Sequence, residues 1–326
     1  MVGQLSPESP KSVRNEVRWL RVAFPHPGKR DTKSPSKDCS WWRNGTTRTI
    51  GQLLDDIDHA HVPPQNGAEI QLFRVFPVGL TTRMIVITAA SGALGSLVVE
   101  RLPANLVRPA VRHPRHPGQV RADYDDPASM REAFSGAERL LLISSPELDP
   151  ARRLRHHLGA LQAAQNAGVK SVVYTSFLGA DTNPTSLTEA HHATEQAIIE
   201  SGLPHTILRN PLYSEPFLPP RTASEVLSGT DGRGLNTAFR TDLAQAAATV
   251  LLEDGHLGRA YDLTGPLWTF PQLAAALGLP YREQTPPGPM GWLHTLARSG
   301  EFERQTGDLE NLLGRRPIPI IPHAVE

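Results

Sequence analysis

The stretch "RMIVITAASGALGSLVVERL", Arg83 to Leu102, decides how the chain folds. Met84–Thr88 is a short apolar run without alternation, the pattern of a strand covered on both faces. Small residues follow it, and then Gly92–Leu102 carries apolar residues at helical spacing. Working outward, the same alternation continues. Strands are expected at Leu106–Val111, Arg139–Ser144, Ser171–Thr175 and His205–Arg209, and helices at Pro127–Phe134, Pro150–Ala167 and Leu187–Ser201. Asp126–Pro127 reads as an N-cap with proline in the first turn, and Gly168 as a helix stop. Short strands alternating with longer helices predict an α/β fold with a doubly wound parallel sheet.

In such a sheet the first strand–turn–helix is where a dinucleotide pyrophosphate is held. The glycines there have separate tasks: a tight turn, close backbone approach to the phosphates, and close packing of helix on strand. The spacing here is Ala89-x-x-Gly92-x-x-Gly95, with alanine in the first position. Ala89 is tolerable there if its φ stays negative, since the penalty for a Cβ arises mainly at positive φ. The helix N-terminus then offers free N–H groups and the positive end of its dipole to phosphate. The end of the next strand reports the cofactor, since NAD binders carry a carboxylate there and NADP binders an arginine. "VRPAVRHPRHP" supplies Arg108, Arg112 and Arg115 and no carboxylate, so NADP (NADPH) is expected and NAD disfavoured. In "ADYDDPAS", Asp123 is placed to accept from an adenine amino group, while Asp125 and Asp126 begin the next helix.

The 326 residues carry no net charge, which gives no general attraction to nucleic acid or anionic membrane. Cys39 is the only cysteine, so an internal disulfide is excluded, and a reducing cytoplasm is the expected setting. No apolar run approaches the roughly 18 residues of a membrane span. Residues 1–83 read differently from the rest, being rich in Pro, Gly and basic residues. The first 50 hold ten Lys/Arg against four Asp/Glu, a composition that reads as an irregular or disordered extension more readily than as a phosphate-binding arm. Short helices are expected within it at "SVRNEVRWLRVAF" and "IGQLLDDI". The functional domain is expected to begin at Met84, with the preceding segment an extension from a misplaced start.

From Met84 onward the chain resembles the NmrA-like atypical short-chain dehydrogenases, and among them the bacterial NADPH–quinone oxidoreductase branch. The stretches that carry the likeness run in order: "ITAASGALG", "VRHP", "ADYDDPAS", "LLLISSPELDPARR", "AGVKSVVYTSFLGAD", "HHATEQAI", "SGLPHTILRN", "LYSE", "RTDLAQAAA", "YDLTGPLWTFPQLAAAL" and "DLENLLGRRPIP". The resemblance implies that residues 89–95, with Ala89, Ser91, Gly92, Ala93, Leu94 and Gly95, cradle the pyrophosphate, and that Arg112 meets the 2′-phosphate. It places Ser144, Ser145 and Tyr174–Gly179 beside the ribose and nicotinamide, including Thr175, Ser176 and Phe177. It also implies a small C-terminal acceptor lobe, mainly 211–240 and 265–326. The sequence departs from the branch at Ala89, at Pro211-Leu212 before "YSE", and in the short, Pro-rich region after Leu279.

Ordinary short-chain dehydrogenases use a Tyr-x-x-x-Lys pair. The residues four positions beyond the five tyrosines are Ala128, Leu178, Phe217, Gly265 and Thr285, and Lys170 is the only lysine after Met84. Proton transfer must then come from elsewhere. His191 and Glu195 are four residues apart on one helical face, so Glu195 is expected to orient His191 and raise its pKa for proton donation. A solvated face is the competing reading for the same pair. Phe177, Tyr213 and Phe217 are expected to form an aromatic platform for an acceptor, with Tyr213 a third catalytic candidate. The doublets His156–His157 and His191–His192 point in divergent directions, so no metal site is expected.

The function expected is hydride transfer from NADPH to a quinone or related small carbonyl compound. The rival is an NADP(H)-binding redox sensor without turnover. A small-molecule acceptor is the expected partner, without nucleic acid or membrane, and a homodimer is compatible with either reading.

Overall fold

The computed structural model describes residues 19–24, 69–74, 83–182, 187–288 and 291–321. It divides into two units, Met1–Thr81 and Thr82–Glu326. In the first, β1 (Trp19–Phe24) and β2 (Glu69–Arg74) form an antiparallel ribbon with Trp19 opposite Arg74 and Phe24 opposite Glu69. The helix expected over "SVRNEVRWLRVAF" is therefore a strand at its C-terminal half. The order Leu20-Arg21-Val22-Ala23-Phe24 puts branched or aromatic residues at every second position, the period of a strand. The helix expected at "IGQLLDDI" lies outside the described residues.

The second unit is built on β3 (Ile85–Ile87), β4 (Val107–Val111), β5 (Val120–Arg121), β6 (Arg139–Leu142), β7 (Ser171–Phe177), β8 (His205–Asn210) and β11 (Arg259–Asp262). These seven strands form one parallel sheet in the order β11-β8-β7-β6-β3-β4-β5. The chain winds outward from β3 to β5, then returns to β6 on the other side of β3. That reversal opens a crevice at the C-terminal ends of β3 and β6.

Alternation along the strands assigns each side chain to one face. Ile85, Ile87, Leu141, Val173 and Leu208 meet α1 (Ala93–Glu100), α5 (Arg240–Leu252) and α8 (Asp308–Leu313). Val86, Leu140, Leu142, Val172 and Tyr174 meet α2 (Pro127–Phe134), α3 (Pro150–Asn166) and α4 (Glu189–Glu200). Ile85, Val86 and Ile87 are 0–1 % exposed, and each stabilises the fold by roughly 1.5–3 kcal/mol. The helix starts are specified locally: Asp126 accepts from the Ser129 N–H at 3.2 Å and Asp149 from the Arg152 N–H at 3.0 Å, each with proline in the first turn.

A third apolar cluster gathers Phe217, Leu235, Phe239, Trp268, Phe270, Leu293, Phe302 and Ile320. Around it lie the strand pairs β9 (Val226–Ser228) with β13 (Tyr281–Glu283) and β10 (Leu235–Asn236) with β12 (Leu267–Trp268). Helices α6 (Phe270–Leu277) and α7 (Gly291–Ala297) complete it. Among the described residues, no helix is long and apolar enough to cross a membrane.

Candidate functional site

The turn after β3 stands at the crevice. Ala89 has φ 48°, not a negative value, so alanine occupies a left-handed position that glycine would take without strain. Its carbonyl accepts from the Gly92 N–H at 2.8 Å, which closes the turn. Gly95 is buried behind it, and a Cβ there would lie 2.3 Å from the Ala89 oxygen. Gly92 is the N-cap of α1 and provides no side-chain cap. The N–H groups of the first helical turn therefore have no protein acceptor within the helix. Ser91, Gly92 and Ala93 are exposed, while Leu94 is buried against the sheet. A turn of small residues, ending in uncapped N–H groups, fits a dinucleotide pyrophosphate.

Of the three arginines near β4, Arg108 donates to the Ala133 and Ser135 carbonyls at 3.2 and 2.6 Å and so closes the end of α2. Arg112, immediately after β4, is exposed and forms no salt bridge among the described residues. Arg115, three residues further on, is also exposed and without a salt bridge among the described residues, and Arg112 is the nearer of the two to the strand end. Asp123 is occupied locally, accepting from the Asp125 N–H at 3.1 Å.

Tyr124, which sequence reasoning passed over, ties the two walls of the crevice together. Its hydroxyl reaches Thr88 Oγ1 at 2.9 Å and also the Ile143 carbonyl. Thr88 Oγ1 in turn accepts from the Ile143 N–H at 2.8 Å. Burial raises the Tyr124 pKa, so the phenol stays protonated and both walls stay joined.

After β6, the Ser144 N–H donates to Thr175 Oγ1 at 2.9 Å. Ser145 is held twice: its N–H donates to His157 Nε2 at 2.9 Å, and its Oγ lies 2.8 Å from His156 Nδ1. The doublet dismissed as a metal site thus grips the loop at the crevice. Since His157 Nε2 accepts, its proton sits on Nδ1, 2.9 Å from Thr194 Oγ1 and 3.2 Å from the Tyr174 hydroxyl. The Tyr174 hydroxyl lies 2.8 Å from His191 Nδ1. Thr194 Oγ1 donates to the Ala190 carbonyl at 2.6 Å and so takes the His157 proton, and with that nitrogen a donor the phenol donates to His191 Nδ1, leaving Nε2–H as the remaining donor of that ring.

Three expectations are corrected here. Tyr174 is fully buried on the α3–α4 face, with its hydroxyl turned to the two histidines and away from the crevice. Thr175 and Ser176 are 2 and 3 % exposed and engaged with Ser144 and Glu195. Glu195 does not serve His191; its carboxylate accepts from Ser176 and pairs with Arg209 Nη2 at 2.7 Å. Nor is the pair on a solvated face, since His191 and Glu195 are 5 and 2 % exposed. Burial, with Arg153 nearby, lowers the His191 pKa to about 3, opposite to the expected rise.

The aromatic platform is also divided. Phe217 is buried beneath Trp268 and Phe270, with ring centroids 5.8 and 6.2 Å away. Tyr213 packs on the α1–α5 core, its ring covered by the Arg240 guanidinium at 4.4 Å. Among the described residues no hydrogen bond or ring contact joins Tyr213 to His191 or Glu195. Phe177 alone is at the crevice side, 6.1 Å from the His191 ring. With Leu178, Gly179, Thr188, Phe302 and Arg304 it lines a cavity of about 190 Å³. A larger hollow of about 910 Å³ runs along α2 and the β5 edge, past Ser135 and Asn166, and is lined by none of the residues expected at the cofactor or acceptor site.

Residues 89–254 match a family described as "NAD(P)H-binding". Over 211 residues the chain is 42% identical to quinone oxidoreductase 2 of Escherichia coli K12, covering 60% of this chain and 73% of that protein. It is 29% identical over 282 residues to an NmrA-like family domain-containing oxidoreductase of Aspergillus flavus, 72% of this chain and 91% of that one. The solved NADPH-dependent quinone oxidoreductase of Escherichia coli, complexed with NADPH, superposes with a TM-score of 0.67 at 34% identity, over 74% of this chain and 98% of that one.

Proposed function

The chain belongs to the NmrA-like, NAD(P)H-binding family, and on that premise we propose that it is an NADPH-dependent oxidoreductase whose acceptor is a quinone or a related small carbonyl compound. The observation that carries this reading is the uncapped turn of small residues at 89–93, with Arg112 exposed at the neighbouring strand end. Residues Ser91–Gly95 would hold the pyrophosphate through backbone N–H groups. Arg112 would pair with the 2′-phosphate, and Ser144 and Ser145 would flank the ribose beyond it.

NADPH supplies the hydride. Everything else in the reduction is placement, exclusion of water and one proton. Phe177 and Phe302 give the acceptor cavity an apolar wall against which a flat ring can lie. His191 is neutral, so its part is not to release a proton as an acid. Its Nε2–H would instead hydrogen-bond the acceptor oxygen as negative charge builds there, the role a neutral imidazole can take as an electrophile. The proton taken up by the reduced ring then comes from solvent once the cavity opens.

The test is consumption of NADPH by the full-length chain with and without an added benzoquinone or naphthoquinone. Quinone-dependent consumption supports the reading. Saturable NADPH binding without consumption, for any quinone or simple carbonyl compound, would favour the redox-sensor reading.

A further inference from the structure

Asp125, His156 and Ser145 form a line of hydrogen bonds that ends at the crevice. His156 Nε2 lies 2.9 Å from Asp125 Oδ1, and His156 Nδ1 lies 2.8 Å from Ser145 Oγ. The imidazole is held in its plane by Tyr124, stacked on it with centroids 5.8 Å apart and planes 16° apart. Arg152 pairs with Asp125 at 3.1 Å and with Glu147 at 3.2 Å, so the outer end of the line is anchored in a charged group. The Asp125 pKa is lowered, chiefly by the hydrogen bond from His156, with Arg152 adding to it.

A carboxylate can only accept, so His156 carries its proton on Nε2 and donates it to Asp125. In the singly protonated form of the ring Nδ1 then has a lone pair, and the Ser145 hydroxyl donates to it at 2.8 Å. In that arrangement Ser145 Oγ has spent its only hydrogen and accepts from the Glu147 N–H at 3.3 Å, so one lone pair is left for a ligand. Such an oxygen suits a partner that donates, a ribose hydroxyl, and is unsuited to a phosphate oxygen, which accepts.

We propose that Asp125 and His156 are positioning residues that lock Ser145 Oγ as an acceptor for a hydroxyl of the cofactor's nicotinamide-side ribose. The proposal rests on the cofactor reading above. The line orients the ribose, and through it the face of the ring that the crevice presents to the acceptor cavity.

The test uses the full-length chain and two ligands titrated by fluorescence: NADPH, and adenosine 2′,5′-bisphosphate, which has the phosphates on the adenine side but no nicotinamide ribose. Ser145→Ala and His156→Leu are each expected to weaken NADPH about threefold to tenfold, the worth of one hydrogen bond, and to leave the bisphosphate unchanged. The double variant should be no weaker than Ser145→Ala, because both changes remove the same contact. Asp125→Asn, at an exposed position, keeps the fold and should weaken NADPH in the same direction by less. Loss of both ligands together would mean that His156 only supports the loop, and would overturn the proposal. So would additive losses, or NADPH binding unchanged in His156→Leu. If the unaltered chain bound no NADPH, the cofactor reading itself would fall and this proposal with it.

Discussion

Ala89 holds the turn after β3 at φ 48°, a conformation that costs an alanine roughly 1–2 kcal/mol relative to glycine. The turn keeps its shape because the Ala89 carbonyl is used twice, as acceptor for Gly92 and as the surface against which Gly95 packs. Ala89→Gly is therefore expected to raise stability by about 1 kcal/mol, a shift of about 2–4 °C in melting temperature. Gly95→Ala should do the reverse, since the added Cβ meets backbone atoms that have no rotamer to move to. A loss of about 1–3 kcal/mol together with NADPH binding is the expected outcome by thermal shift. Stability unchanged in both variants would mean that the turn is not under this strain. Burial gives a second effect at single residues. His157 and His191 are lowered from 6.5 to about 2 and about 3, chiefly by burial. Between about pH 3 and 6.5 the unfolded chain binds more protons at these positions than the folded chain. Their contribution is thus complete above about pH 6.5 and is lost as the pH falls, at about 1.4 kcal/mol per pH unit for each histidine. Urea unfolding from about pH 7 to about pH 5 should show that decline, and a flat profile would contradict neutral, buried imidazoles.

Arg209 on β8 joins elements that are distant in the chain. Its guanidinium meets Glu195 of α4 at 2.7 Å, Asp181 of the loop after β7 at 3.0 Å and Asp262 of β11 at 3.3 Å. Arg304 closes the group from the C-terminal lobe side, 2.7 Å from Asp262 and 3.3 Å from Asp181. Burial works against the Arg209 charge, but the hydrogen bond and charge of Glu195, with the two aspartates, raise its pKa overall. Arg209→Ala would leave the Glu195 carboxylate, 2 % exposed, without its cation and in a cluster with two other carboxylates, Asp181 and Asp262. A loss of about 3–5 kcal/mol by denaturant unfolding is expected, and a loss below about 1 kcal/mol would mean that the cluster is solvated. This cluster also explains where the sequence stopped being legible. The central strands were readable because a doubly covered parallel strand is a plain apolar run, as in Met84–Thr88. The two-residue strands β5, β10 and β12 carry no such run. The spacing of His191 and Glu195 correctly put them on one helical face, yet spacing says nothing of the strand residue beneath. Sheet order, set by contacts far apart in the chain, gave Glu195 to Arg209 and His191 to Tyr174.

At the scale of the molecule, the sheet order places the turn of β3, the end of β4 and the loop after β6 around one crevice, and the α4 histidine lies beside Phe177, which lines a cavity of about 190 Å³. The turn after β3 was legible because a doubly covered strand, a run of small residues and a helix leave a plain pattern in the chain. The loop after β6 was not, because its anchors are a histidine doublet on α3 and a tyrosine after β5, with no motif linking them. A ligand that binds only the folded state stabilises it by mass action, about 2.7 kcal/mol at a hundredfold excess over Kd. NADPH should therefore raise the melting temperature in a concentration-dependent way. The most direct measurement is a titration of the full-length chain with NADPH and with NADH, beside the Arg112→Ala variant. The account predicts saturable binding that favours NADPH, with the preference reduced on the order of tenfold in the variant while NADH is unaffected, as expected for one exposed charged hydrogen bond. Binding of neither nucleotide would contradict it, and would mean that the left-handed Ala89 turn does not accept a pyrophosphate.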